Sequence, residues 1–87
     1  ENRVEFCGAS ADLTKTELLI LDTLFRKQGG VAKREEIMDR CRQSDNFIDD
    51  NTLAVNIARL RKKLQSIGLS DFIKTKKGSG YFIERDL

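Results

Sequence analysis

Apolar positions recur with two different spacings along this chain. Near the N-terminus they alternate. Val4 and Phe6 flank Glu5, so Arg3–Cys7 reads as a strand, Gly8 opens a turn, and Ala11–Leu13 reads as a returning strand. From Thr14 the spacing becomes helical. Leu18, Ile20, Leu21, Leu24 and Phe25 form one stripe, predicting a helix that runs to Gly29-Gly30, where glycine supplies a left-handed stop. Thr14-Lys-Thr-Glu17 has the form of a capping box, in which the Thr14 hydroxyl and the Glu17 carboxylate each accept the other residue's backbone N–H. After a brief extended step at Val31 and Ala32, Lys33–Arg42 reads as a short second helix. Glu35 and Glu36 suit the positive end of its dipole, and Ile37, Met38 and Cys41 form its buried side. Gln43–Asp50 is polar and irregular apart from Phe47 and Ile48. Asp50 is the expected N-cap of a third helix, Asn51–Ser66, closed by Gly68. Finally, Phe72–Thr75 and Tyr81–Ile83 are β-rich runs on either side of Lys76-Lys-Gly-Ser-Gly80, a hairpin signal.

This order predicts an α+β fold, a winged helix-turn-helix. It has three helices, short N-terminal strands and a C-terminal β-hairpin wing, in one domain over residues 1–87. The chain begins at Glu1 without Met or a signal-peptide pattern, so a piece of a longer protein is expected.

In the third helix, Leu53, Ile57, Leu60 and Leu64 fall within about 60° of one another at 100° per residue. This is a core stripe, and its importance lies in what it forces outward. The opposite arc carries Asn51, Val55, Ala58, Lys62 and Ser66, flanked by Thr52, Arg59 and Lys63, with Arg61 nearer the other edge. A helix fits the DNA major groove and reads bases through its N-terminal half. Asn51, Thr52, Val55, Asn56 and Arg59 are chemically suited to base reading, since Arg forks onto guanine, Asn onto adenine, and Val or a Thr methyl meets the thymine methyl. Arg61, Lys62 and Lys63 sit a turn later, where phosphate pairing is expected. Plain solvent exposure is the competing reading for each of them.

Charge sharpens this picture. The net charge is only +2, yet residues 1–50 carry eight basic and eleven acidic side chains, and residues 51–87 carry eight against three. A solvated helix face and a polyanion-binding stripe both fit such an asymmetry. At the hairpin tip, Thr75, Lys76 and Lys77 precede Gly78 and Gly80, and turn geometry or close approach to a phosphate would each explain the glycines. Tyr81 is expected to be partly buried.

Other chemistry is poorly supplied. With no His and two Cys, the chain has too few soft ligands for a tetrahedral zinc site, and no cofactor is expected. There is no Gly-rich phosphate loop and no nucleophile beside a base, so an enzyme is not expected; a helix cap accounts for the Asp49-Asp50 pair. Cys7 and Cys41 read as reduced thiols of a cytoplasmic protein. No apolar run approaches the ~18 residues of a membrane span. The alternative to DNA binding is a protein–protein interaction module, whose third helix would present apolar residues outward. Only Val55 qualifies.

Taken together, Thr14–Leu24, Gly30-Val-Ala-Lys-Arg-Glu-Glu-Ile37, Asp49-Asp-Asn-Thr-Leu-Ala-Val-Asn-Ile57, Arg59-Leu-Arg-Lys-Lys-Leu64 and Ile73-Lys-Thr75 with Gly78-Ser-Gly-Tyr81 resemble the effector domain of OmpR/PhoB-type two-component response regulators. The resemblance runs from about Thr14 to Ile83. It implies a phosphoacceptor receiver domain, absent from this chain, on which a sensor histidine kinase acts. It also implies sequence-specific binding of double-stranded promoter DNA as a head-to-tail homodimer on direct repeats, and an RNA polymerase contact through residues 43–50. By position it places base contacts at Asn51, Thr52, Val55, Asn56 and Arg59, phosphate contacts near Arg61 and Lys62, and wing contacts at Thr75 and Lys77. The chain departs from the family pattern in four ways. Asn51 stands where Arg is frequent, Lys76-Lys77 where Val-Arg is frequent, and Lys33 where a Ser cap is usual. The family's leading four-stranded sheet is represented by about two strands. Phe47-Ile-Asp-Asp-Asn-Thr-Leu53 is similar to the subgroup that regulates resistance to bacitracin, nisin and related peptides.

Overall fold

A computed structural model describes residues 2–83; residue 1 and residues 84–87, the ends of the expected 1–87 domain, lie outside the described residues. The chain order is β1 (Arg3–Phe6), β2 (Ala9–Asp12), α1 (Lys15–Arg26), β3 (Ala32–Lys33), α2 (Arg34–Gln43), α3 (Asp50–Ser66), β4 (Ile73–Lys76) and β5 (Gly80–Ile83). β1 and β2 form an antiparallel pair, and a second antiparallel sheet has the order β3-β5-β4. This is the expected α+β winged helix-turn-helix, with one strand more than the sequence pattern indicates.

The helices begin and end for local reasons. Both halves of the α1 capping box are present: the Glu17 N–H donates to Thr14 Oγ1 at 3.1 Å, and the Thr14 N–H to Glu17 Oε1 at 2.9 Å. α1 stops at Arg26, before the glycines, because Gln28 already has φ +52° and Gly29 follows at φ +91°. In α2 only the carboxylate half of the box exists. Glu36 accepts the Lys33 N–H at 3.0 Å, while the Lys33 side chain has no acceptor to offer in return. The expected cap of α3 shifts by one residue. Asp49 caps it, accepting the Thr52 N–H at 2.8 Å, and Asp50 is the first helical residue, 3.5 Å from the Arg34 guanidinium.

One core joins all layers. Leu13, Ile20, Leu21, Leu24, Ile37, Cys41, Ile48 and the α3 stripe are buried with Ile73 and Ile83 of the wing. Phe25 departs from its predicted place: it is exposed, its ring tilted against Phe72 at a 6.0 Å centroid distance. Phe25 sits on the edge of the α1 stripe, so its ring covers the rim of the core instead of entering it.

The extra strand explains a glycine. β3 pairs with β5 through Ala32↔Tyr81 and Lys33↔Gly80. A Cβ at Gly80 would run into the Ala32 carbonyl oxygen and lie 2.9 Å from the Lys33 Cα. Gly80 is therefore required by strand contact, whereas Gly78, at φ +77°, is required by the turn.

Candidate nucleic-acid interface

The aliphatic stripe of α3 docks as its periodicity demands: Leu53, Ile57, Leu60 and Leu64 are all buried. The outward arc is then open. Asn51, Thr52, Val55, Ala58, Arg59 and Lys62 are exposed, with Val55 the only exposed large apolar residue of the helix. On the wing, Thr75, Lys76 and Lys77 are exposed, and the turn closes with the Ser79 N–H donating to the Lys76 carbonyl at 2.9 Å.

Three expected site residues are placed elsewhere. Asn56 is only 7 % exposed, and its amide Nδ2 donates to the Thr52 carbonyl at 2.8 Å, so it does not reach the open face. Lys63 turns back to α1, where its Nζ is 2.6 Å from the Oε1 of Glu17, a carboxylate only 1 % exposed. It forms an ion pair at the edge of the core. Arg61 is partly buried. Its Nε donates to the Ile73 carbonyl at 3.1 Å and its Nη2 to Thr75 Oγ1 at 2.6 Å, with the Tyr81 ring centre 5.8 Å away. Tyr81 itself is partly buried, as expected.

Ion pairing separates two sets of cations. Arg3, Arg26, Lys27, Arg34, Arg40, Arg42 and Lys63 each face a carboxylate. Among the described residues Lys15, Lys33, Arg59, Arg61, Lys62, Lys74, Lys76 and Lys77 face none, and all of these but Lys15 and Lys33 lie in α3 or the wing. Asp50, at the first turn, is the only acidic residue of α3. Cations without a carboxylate partner among the described residues thus lie both on the outward arc and at the wing tip. Lys33 belongs with this set, although the sequence pattern gives no sign of it. It pairs with no carboxylate among the described residues, and the ladder sets it opposite Gly80 at the root of the wing. Only the presence of β3 brings it there.

A second surface lies between α2 and the segment before α3. A depression of about 300 Å³ is lined by Glu35, Met38, Asp39, Arg42, Phe47 and Ile48. Phe47 is 68 % exposed, with the Arg42 guanidinium 5.9 Å from its ring centre. Nearby, the Thr52 N–H bonded to Asp49 holds that carboxyl below the usual range. Among the described residues no group of three His, Cys, Asp or Glu side chains could hold a metal ion, and no helix is long and apolar enough to cross a membrane. Cys7 is exposed and Cys41 buried, both as free thiols, and burial pushes the Cys41 thiol up.

The geometry has clear counterparts. Residues 8–83 match the family described as "Transcriptional regulatory protein, C terminal". The chain is 38% identical over 86 residues to the sensory transduction protein BceR of Bacillus subtilis (strain 168), covering 99% of this chain and 37% of that protein. It therefore spans about a third of the length of that relative. Among solved structures, the C-terminal domain of the nisin resistance regulator NsrR, a lantibiotic response regulator, superposes with a TM-score of 0.83 at 32% identity, covering 99% of this chain and 95% of that one. The DNA-binding domain of the response regulator AdeR, solved in complex with an intercistronic region, gives 0.80 at 25% identity, covering 98% and 87%.

Proposed function

This chain belongs to the family of C-terminal domains of transcriptional regulatory proteins, and we propose that it is the sequence-specific, double-stranded-DNA-binding output domain of an OmpR/PhoB-type two-component response regulator. α3 enters the major groove and the wing over residues 75–80 meets adjacent backbone or minor groove. Asn51, Thr52, Val55 and Arg59 address base edges, and Lys62, Lys76 and Lys77 address phosphates. Asn56, Arg61 and Lys63 leave the contact set, because each is occupied within the domain. The observation that carries this reading is the set of cations on the outward arc and wing tip that face no carboxylate among the described residues, in a domain where the arginines before α3 all do. The DNA complex of AdeR, similar over nearly the whole chain, supports it.

The wider setting follows from the same reading. A receiver domain lies in the remainder of the full protein and is the target of a sensor histidine kinase in the cytoplasm. Two effector domains bind direct repeats head to tail. The exposed Phe47 beside its shallow depression is the surface for RNA polymerase through residues 43–50. Similarity to the C-terminal domain of the nisin resistance regulator NsrR, with the Phe47–Leu53 resemblance, supports a role in resistance to bacitracin- or nisin-like peptides.

Salt dependence tests the core of this. Three phosphate-facing lysines predict a log K against log salt slope of about −3 for one domain, at −0.9 per phosphate. A binding constant indifferent to salt refutes the reading.

A further inference from the structure

One side chain of α3 holds both strands of the wing. Arg61 donates to the Ile73 carbonyl and to the Thr75 hydroxyl, two alternate positions of β4, and its guanidinium faces the ring of Tyr81 on β5. Thr75 and Tyr81 are themselves register partners, so two of the three contacts fall on one rung of the ladder and the third, to Ile73, lies two residues along β4. The two residues that follow Thr75 are Lys76 and Lys77. A guanidinium suits this position because its planar fork serves two acceptors while a face stays free to stack; an ammonium on a flexible stem cannot do all three. The wing is also anchored by Ile73 and Ile83 in the core and by the pairing of β5 with β3, which fixes it to the α2 side; Arg61 is the polar contact that ties β4 to α3.

We propose that Arg61 is a positioning residue for DNA recognition, setting the wing against α3 so that Lys76, Lys77 and the reading face meet the duplex as one prepared unit. The inference rests on the DNA-binding reading above. Its effect is preorganisation: a wing already held loses no affinity to being ordered on binding.

The test uses Arg61→Lys, Thr75→Val and Lys77→Ala, alone and in pairs, on a duplex that the wild-type domain selects from a random pool. Arg61→Lys keeps the charge, and Thr75→Val removes the acceptor without touching any charge. Each is expected to weaken binding roughly tenfold, the scale of one charge-assisted hydrogen bond, and to reduce the salt slope by about 0.9 for each wing lysine no longer held on its phosphate. Lys77→Ala is expected to cost a smaller factor in the Thr75→Val background than in the wild type, because a loosened wing no longer presents Lys77. General destabilisation would not produce that coupling. In the free domain, backbone order parameters over residues 76–80 are expected to fall in both variants. Losses that simply multiply, or order parameters equal to wild type, overturn the proposal. Should one of the two variants fail to fold, the other carries the same comparison. If the wild-type domain selects no duplex, the DNA-binding reading fails, and the order parameters still decide whether Arg61 holds the wing.

Discussion

The ion pair between Glu17 and Lys63 is asymmetric, and that asymmetry can be measured. The Glu17 side chain is 1 % exposed and accepts the Thr14 N–H as well as Lys63 Nζ; the Lys63 side chain is 34 % exposed. Removing Lys63, as in Lys63→Met, strands a buried carboxylate with one remaining donor. Breaking a fully buried pair costs about 3–5 kcal/mol. The solvent access of Lys63 discounts that, because part of the attraction is already screened, and about 2 kcal/mol is expected. Glu17→Gln is milder. The amide oxygen still accepts from Thr14, preserving the box, and Lys63 swings into water, so about 1 kcal/mol is expected. Replacing both partners together should cost less than Lys63→Met alone, since no charge is left stranded. Urea unfolding at neutral pH reads these values, and each kcal/mol should move the melting temperature by roughly 4–8 °C in a domain of this size. If Lys63→Met costs less than Glu17→Gln, the carboxylate is not buried as described and the reasoning fails. The DNA side gives a second check: Lys63→Met should leave the salt slope of binding unchanged, whereas loss of a phosphate contact would reduce it by about 0.9.

Gly80→Ala should destabilise the domain by about 2 kcal/mol or more, because its Cβ collides with the Ala32 carbonyl and parts β3 from β5; hydrogen exchange at Ala32 and Lys33 should quicken, and unchanged exchange would contradict the steric account. Asp49 is held below the ordinary carboxylate range by the Thr52 N–H, and Asp22 chiefly by its hydrogen bond with Arg40. Their contributions are therefore complete above the unfolded pKa, near about pH 4, and lost as pH falls through the lower folded values. Asp49→Asn keeps a cap that does not titrate and should flatten that part of the acid limb in a urea–pH series; an identical limb would refute the assignment. Arg59→Ala should weaken the selected duplex more than random duplex, and Lys62→Ala should weaken both alike. Equal losses for Arg59→Ala in a competition assay would remove it from base reading.

Much of this domain can be read from its amino-acid pattern, since local chemistry decides it. The capping box at Thr14, the α3 stripe and the basic hairpin depend on neighbours a few residues apart, and all three form as predicted. β3 reads only as an extended step. Two residues carry no periodicity, and their strand exists through pairing with Tyr81 and Gly80, some fifty residues away. The flanks of α3 are legible in position but not in destination. On a helical wheel Asn56 and Lys63 lie about 60–80° to one side of Leu53 and Arg61 about 80° to the other, so both flanks border the core. Which flank turns to α1 and which to the wing is decided by how α3 docks. Glu17 reads as half of a cap. Its burial beneath Lys63 becomes visible only when α1 and α3 are brought together.

Amide shift mapping with the selected duplex tests the central claim most directly. The account predicts changes at Asn51, Thr52, Val55, Arg59 and Lys62 and along the wing from Thr75 to Gly78, with Glu35, Asp39 and Phe47 quiet. Changes centred on the Phe47 depression, with α3's outward face unmoved, would contradict it.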